Sequence, residues 1–440
     1  MTARSTPPRP AFGATRTAPR VGSRVLTSMV AAGMLLTGCV PTAGPATPDP
    51  EDAATTGVGT ASASQSAQTS ASTPAARQAV SVVVTGDVLL HPPLWAQGRR
   101  DGSAAHPDFG PLLSGLRPYL ADADLAVCSL ETPVGTPDGP FSGYPSFVVP
   151  PQILPALAET GYDACTTATN HAIDGGTAGL ERTLDALDSA GLAHTGTYRS
   201  AAEAERPLVL EAGGVRIGLV TATFGLNGLR ADTAWRVDLI DTDRMIAQGQ
   251  AARKAGADVV LAGFHSGEEY SDRPTADQRR TAHTLAESGV FDVVYSHHTH
   301  SVLPLEKHDG VWIAYGLGNS VSAHATDLAV NREGLSLKLQ FTRRHGSWQA
   351  DPPQWAAHIM AQDPDRWCAL PAARPCTTPA TDAASLQRTR TRVESLGAGE
   401  LGVRRWIPEA PAAAPAATPP ATPADPPAAT PAPASPVPAP

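Results

Sequence analysis

Short apolar, β-branched runs recur along this chain, each ending in a polar or ionisable residue, with helically spaced segments between them. Ala79–Gly86 delivers Asp87, Asp124–Leu130 delivers Glu131, and Tyr162–Ala168 ends in Thr169-Asn170-His171. Ala257–Phe264 delivers His265, and Asp292–His300 runs from two valines and a tyrosine into His297-His298-Thr299-His300. Runs this apolar, without polar alternation, read as strands buried on both faces, as in a parallel sheet. Helical spacing covers Phe109–Leu120, Pro150–Thr160, Thr242–Lys254, Thr275–Ser288 and Ala383–Leu396. Gly175–Ala190 is amphipathic, with Leu180, Leu184 and Leu187 on one face and Gly191 as its stop. Ala193–Thr197 reads as a short strand. Hairpins are predicted for Leu208–Thr223 about Gly213-Gly214, and for Val302–Lys307 with Val311–Tyr315 about Asp309-Gly310. Gly334–Phe341 and Trp348–Met360 add antiparallel strands. Alternation followed by hairpins predicts an α/β domain of mixed sheets with helices outside.

Composition narrows the part of the 440 residues that can build this core. Arg16, Arg20 and Arg24, the apolar run Val25–Leu36 and then Leu36-Thr37-Gly38-Cys39 read as a bacterial export leader with a lipobox, residues 1–39, in which Cys39 is acylated. The apolar run is short for a membrane span. Residues 40–78 are mostly Ala, Ser, Thr and Gly and read as a tether; residues 408–440 are nearly all Pro and Ala and read as an extended tail. The folded part is then a main domain at 79–360 with a C-terminal addition at 361–407. A net charge of −9 without a Lys/Arg run in that part speaks against a nucleic-acid partner. Cys128 and Cys165 lie in apolar runs and read as buried small hydrophobes, whereas Cys368 and Cys376 flank a proline-containing loop and could pair in an exported protein.

The chemistry lies in the recurrence of the strand ends. Carboxylate, amide and imidazole together form a nitrogen–oxygen donor set that suits Mn, Fe, Zn or Mg. A carboxylate between two such ions can bridge them, and a histidine held off the ions can protonate a leaving oxygen. His171, next to Asn170, takes that last role. Asp174 precedes a helix start and reads first as its cap, with a place in the pocket as the alternative. Asp272-Arg273 reads as a solvated pair, and His283 as a surface or core residue.

The motifs Gly86-Asp87-Val88, Ser129-Leu130-Glu131-Thr132-Pro133, Thr169-Asn170-His171 through Gly176, His265-Ser266-Gly267-Glu268-Glu269-Tyr270, His297–His300 and Tyr315-Gly316-Leu317-Gly318-Asn319 follow one another in a telling order. Over about Val80 to Ser320 the chain resembles the bacterial capsule-synthesis CapA, or poly-γ-glutamate synthesis, family, itself similar to calcineurin-like metallophosphoesterases. The resemblance implies a layered α/β/β/α sandwich and a two-ion centre. Asp87 would hold one ion, Asn170 and His265 the other, with His298 and His300 completing the set and Glu131 as bridge and catalytic partner of His171. Glu268 and Asn319 would shape the pocket. His91 stands four after Asp87, where the phosphoesterase signature has its histidine two after, so it reads as a loop residue. Ser266, Ser296, Thr299 and Ser320 also depart from the family pattern.

Two classes of function follow. One is a lipid-anchored protein on the outer face of the cell membrane, whose metal-activated water acts on a phosphoester or amide, with an anionic polymer such as poly-γ-glutamate as partner. The other is a non-enzymatic subunit that keeps the fold and binds a membrane capsule synthase. A metallophosphoesterase unrelated to capsule would share the residues of the first.

Overall fold

A computed structural model of the chain describes residues 78–408 apart from position 327. The leader with Cys39, the tether up to residue 77 and the tail from residue 409 lie outside the described residues. In chain order the strands are β1 (Ala79–Val88), β2 (Leu125–Leu130), β3 (Ala164–Thr166), β4 (Ala193–Thr195), β5 (Leu208–Ala212), β6 (Val215–Thr223), β7 (Val259–His265) and β8 (Val293–His297). They continue with β9 (Leu305–His308), β10 (Val311–Ala314), β11 (Asn319–Val321), β12 (Glu333–Arg344), β13 (Ser347–Ala350), β14 (Gln354–Ala361), β15 (Arg366–Leu370) and β16 (Arg404–Arg405).

Two mixed sheets result. The first runs β15-β14-β12-β1-β2-β3-β4, and the second β5-β6-β7-β8-β10-β9. Within each, the central strands are parallel: β1 with β2, β2 with β3, β6 with β7 and β7 with β8. Alternate residues of one strand serve different cores. Val80, Val82 and Val84 of β1 face a core shared with Ile217, Leu261 and Val293 of the second sheet, while Val83 and Val88 face the helical layer. On the far side, Val260, Ala262 and Phe264 of β7 pack on Met245 and Leu285 of the helices Thr242–Lys254 and Ala276–Glu287. Three cores between four layers make an α/β/β/α sandwich.

Thr275 begins the Ala276–Glu287 helix with a capping box to Gln278. Phe109–Leu120 is not one helix; it breaks into Gly110–Leu113 and Arg117–Ala121, each with proline in its first turn. The helix Pro92–Asp101 has little sequence signal, because two prolines open it and polar residues dominate it. The 361–407 segment continues the first sheet: β15 pairs with β14, and the helix Pro379–Glu394 packs beside them.

Cys128 and Cys165 are a correction. They occupy paired positions on β2 and β3 and form a disulfide, as do Cys368 and Cys376. The apolar runs hide which strands are neighbours, so the first pairing has no local signature. Among the described residues no helix is long and apolar enough to cross a membrane.

Candidate metal centre

The parallel strands of both sheets point their C-terminal ends at one place, where open α/β sheets gather polar groups. Asp87, Glu131, Asn170, His265, His298 and His300 are all brought together there, each at most 5 % exposed. His265 lies 3.9 Å from Asp87 and 3.8 Å from Glu131; His300 lies 3.6 Å from each carboxylate. His265 Nε2 meets Asn170 Oδ1 at 2.8 Å. The register at the top of β1 is irregular between Asp87 and Val88, and the Asp87 amide donates to the Gly318 carbonyl (3.0 Å).

The turn after β8 is equally constrained. His298 and His300 have φ of 84° and 48°, a region that non-glycine residues enter at a cost and that clusters at functional sites. The His298 amide donates to Asp87 Oδ2 (3.1 Å), so the carboxylate itself helps hold the turn. His297 points away and meets the Thr85 carbonyl at 2.9 Å, a structural tie to β1. His300 Nδ1 meets Asn319 Oδ1 at 2.9 Å, which fixes the ring and leaves Nε2 toward Glu131. Asn319 therefore orients a histidine rather than lining a pocket directly, and its own amide is tied to the Asn331 carbonyl.

The electrostatics of this cluster lack a counter-charge. Asp87 Oδ1, both carboxylate oxygens of Glu131, His265 Nδ1 and His298 Nδ1 are buried without a hydrogen-bond partner. Burial, then the nearby charges of Asp87 and Glu269, push the Glu131 carboxyl well above its usual range. Burial drives His298 and His300 down to about 4, and burial with the neighbouring His298 and His297 drives His265 well below its usual range. Among the described residues no lysine or arginine pairs with any of the six. Orphaned carboxylate oxygens beside neutral imidazoles fit a divalent cation, and Asp87, Glu131 and His300 offer donor atoms within 4.8 Å of one another.

His171 sits beside this group and is governed by Asp174. Asp174 Oδ2 meets His171 Nδ1 at 2.6 Å and accepts from the Phe147 amide at 2.7 Å. Asp174 is thus not a helix cap: the helix Gly176–Ser189 has Gly175 at its N-cap and no side-chain cap bond. The helix starts at Gly176, so Asp174 stands one residue before the N-cap, and its carboxylate goes to the imidazole. Asn227, at φ 51°, lies within 3.5 Å of both His171 ring nitrogens and 3.3 Å from Asn170. Nothing in the sequence marks Asn227, since its loop after β6 carries no strand-end motif.

The pocket acid also changes. Glu268 is exposed and its carbonyl accepts from the Ser271 amide, whereas Glu269, the next residue, brings a carboxylate within 4.8 Å of donor atoms on His298 and His300. The loop alternates direction here because the Tyr270 amide is pinned to the Thr299 carbonyl at 2.8 Å. His91 Nδ1 lies 3.0 Å from the Leu89 carbonyl and 3.3 Å from the Ala323 amide, as a loop residue does. Asp272 and Arg273 pair at 3.1 Å in solvent.

Two other features lie away from this centre. His283, Glu306 and His308 cluster on the Ala276–Glu287 helix and the β9–β10 hairpin, but the two imidazoles stack at 3.7 Å with planes 1° apart. Lone pairs in parallel planes do not converge on one ion. A cavity of about 400 Å³ lined by Tyr198, Trp235, Asp238 and Arg244 has its buried acid already satisfied: Asp238 holds Tyr198 (2.5 Å), Arg244 (2.9 Å) and Gln248 (3.0 Å).

Comparison with known proteins adds the lineage. The chain is 29% identical over 168 residues to the PGA biosynthesis protein CapA of Bacillus subtilis, covering 38% of this chain and 44% of that protein. It is 24% identical over 215 residues to the capsule biosynthesis protein CapA of Bacillus anthracis, covering 46% and 52%. The chain thus spans about half the length of these curated relatives. Among solved structures, a calcineurin-like phosphoesterase of Bacillus subtilis aligns with 71% of this chain and 97% of its own at 15% identity and a TM-score of 0.42. The fold assignment rests on the sheet pairings and cores described above. The model of the bacterial capsule synthesis protein PGA_cap matches residues 81–324, more than half of the chain and all of the strand ends that build the centre, and the chain belongs to that family.

Proposed function

We propose that this protein is a lipid-anchored, extracytoplasmic capsule-synthesis factor that works on an anionic polymer such as poly-γ-glutamate through a divalent-metal centre. The observation that carries the metal reading is the set of buried, unpartnered oxygens on Asp87 and Glu131 among neutral imidazoles. Asp87, His298 and His300 would hold one side of the centre and Asn170 with His265 the other, with Glu131 between them. Bound divalent ions, Mn, Fe, Zn or Mg, would supply Lewis acidity and a water made acidic enough to attack an ester or amide. They would also offset the negative charge of the polymer, a task for which the cluster has no lysine or arginine.

The chain's own residues do the rest. Asp174 takes the proton-bearing Nδ1 of His171, so Nε2 is the atom that holds or gives a proton to a leaving oxygen. Asn227 and the edge of Phe147, whose ring lies 4.9 Å from that of His171, keep the imidazole in place. Asn319 does the same for His300. The membrane anchor is Cys39, and membrane synthase subunits are the partners this placement implies.

The test is elemental analysis of the protein lacking residues 1–39, with assays on phosphodiesters and poly-γ-glutamate in Mn²⁺, Fe²⁺, Zn²⁺ and Mg²⁺. Bound metal lost in Asp87→Asn and His298→Ala, with turnover lost in parallel, supports the reading. A folded protein that retains no divalent ion, and whose His298→Ala and His300→Ala variants still support capsule formation in cells, would leave only the scaffold function.

A further inference from the structure

The acids of the centre differ in burial. Asp87 and Glu131 are fully buried and cannot leave without unfolding the strand ends that carry them. At the outer edge, where His298 and His300 offer nitrogens to the ion they would share with Asp87, the further acid is Glu269, an exposed residue on the loop after β7. Its oxygen and the two imidazole nitrogens lie within 4.8 Å of one another.

The loop is built to hold this carboxylate in place. The Tyr270 amide is bonded to the Thr299 carbonyl inside the histidine turn, at 2.8 Å. Gly267 has φ 141°, and a β-carbon there would stand 2.5 Å from Thr299 Cγ2, so the backbone lies directly against that turn. The Tyr270 ring lies 6.0 Å from that of His300, and its hydroxyl meets His324 Nε2 at 3.0 Å. Tyr270 itself is at φ 61°.

We propose that Glu269 is a displaceable ligand of the ion that Asp87, His298 and His300 would hold, closing the centre at rest and ceding its position to one anionic group of the substrate, a carboxylate or a phosphate oxygen. This rests on the metal-centre reading above. An exposed carboxylate is rehydrated on release, so exchange against another oxyanion costs little, whereas release of a buried carboxylate is penalised by desolvation. Coordinating oxygens of the same charge and hardness exchange without altering which ion is bound. A substrate bearing a carboxylate beside its scissile bond, as a glutamyl polymer does, therefore finds an outer position already shaped for that group.

The experiment is calorimetric and EPR titration with Mn²⁺ of the protein lacking residues 1–39, as wild type, Glu269→Gln and Asp272→Asn, the last removing an exposed acid from the same loop. Wild type and Asp272→Asn are expected to bind about two ions. Glu269→Gln is expected to keep one tight site and weaken the other about tenfold or more, with an altered Mn²⁺ signal. Inorganic phosphate, titrated at saturating Mn²⁺, is expected to bind Glu269→Gln several-fold more tightly than wild type, because its competitor is gone. Two unaltered Mn²⁺ affinities in Glu269→Gln, or weaker phosphate binding, would overturn the inference while leaving the metal centre standing. Absence of Mn²⁺ binding in the wild type would overturn both.

Discussion

Two donors share one oxygen of Asp174: the ring of His171 at 2.6 Å and the Phe147 amide at 2.7 Å. A carboxylate in that position fixes the imidazole tautomer and stabilises the charged ring, and an amide does neither well. Asp174→Asn is expected to leave metal content unchanged while lowering kcat about 10- to 100-fold, the usual range for such partners. Independently of turnover, the ¹⁵N spectrum of labelled histidine is expected to show the His171 ring passing from one tautomer to a mixture. A variant with an unaltered ring signal and wild-type kcat would remove Asp174 from the mechanism. At this scale the sequence marked residues that terminate strands, since a polar group directly after a buried run stands out. Asn227 and Glu269 did not stand out, because their roles depend on loops whose direction is set by distant contacts such as Tyr270 with Thr299.

At the scale of elements, the centre depends on how closely β1 approaches the loop before β11. A β-carbon on Gly86 would stand 2.2 Å from the Gly318 carbonyl oxygen and 2.8 Å from that of Leu317, both backbone atoms that cannot swing aside. Gly86→Ala is therefore expected to push Asp87 and Asn319 apart. The expected cost is about 1–3 kcal/mol in urea unfolding, together with weakened metal binding. Gly214→Ala serves as comparison: nothing lies within 4 Å of its β-carbon, so only its own backbone, at φ 80°, is strained. Equal metal affinity for Gly86→Ala and wild type would show that the approach is not needed by the centre.

For the whole molecule, stability should follow the protonation of its buried histidines. His358 is fully buried, its Nε2 meets the Asn319 carbonyl at 2.9 Å, and burial lowers its pKa from 6.5 to about 4. Below pH 6.5 the unfolded chain takes up a proton that the folded chain refuses until about pH 4. This group's contribution to stability is therefore intact above 6.5 and is lost as pH falls through that window, by up to about 3 kcal/mol. Glu131, raised well above its usual range, acts with the opposite sign in metal-free protein. The clean measurement is thus the difference between wild type and His358→Gln in chelated samples. Wild type is expected to lose stability more steeply between pH 6.5 and 4, read as Tm or urea midpoint. Parallel curves would refute the assignment.

The succession of buried runs, each closed by an acid, amide or imidazole, determined much of this protein without reference to any fold. A strand sealed on both faces excludes polar side chains until it leaves the core, so the first ones after it are conspicuous in the chain itself. The α/β class and the polar strand ends follow from that periodicity, whereas the choice of the six residues of the centre among them is what the family resemblance, carried by the order of the motifs, implies. Tertiary structure alone decided which strand ends meet. Asp87 of one sheet faces His265 of the other, Cys128 pairs with Cys165, and Asp174 turns from the helix to His171. Local patterning specifies the faces of an element but not its neighbours: Asp87 and His265 stand 178 positions apart on separate sheets, Cys128 and Cys165 on adjacent strands of one sheet, and only packing of the domain sets those distances.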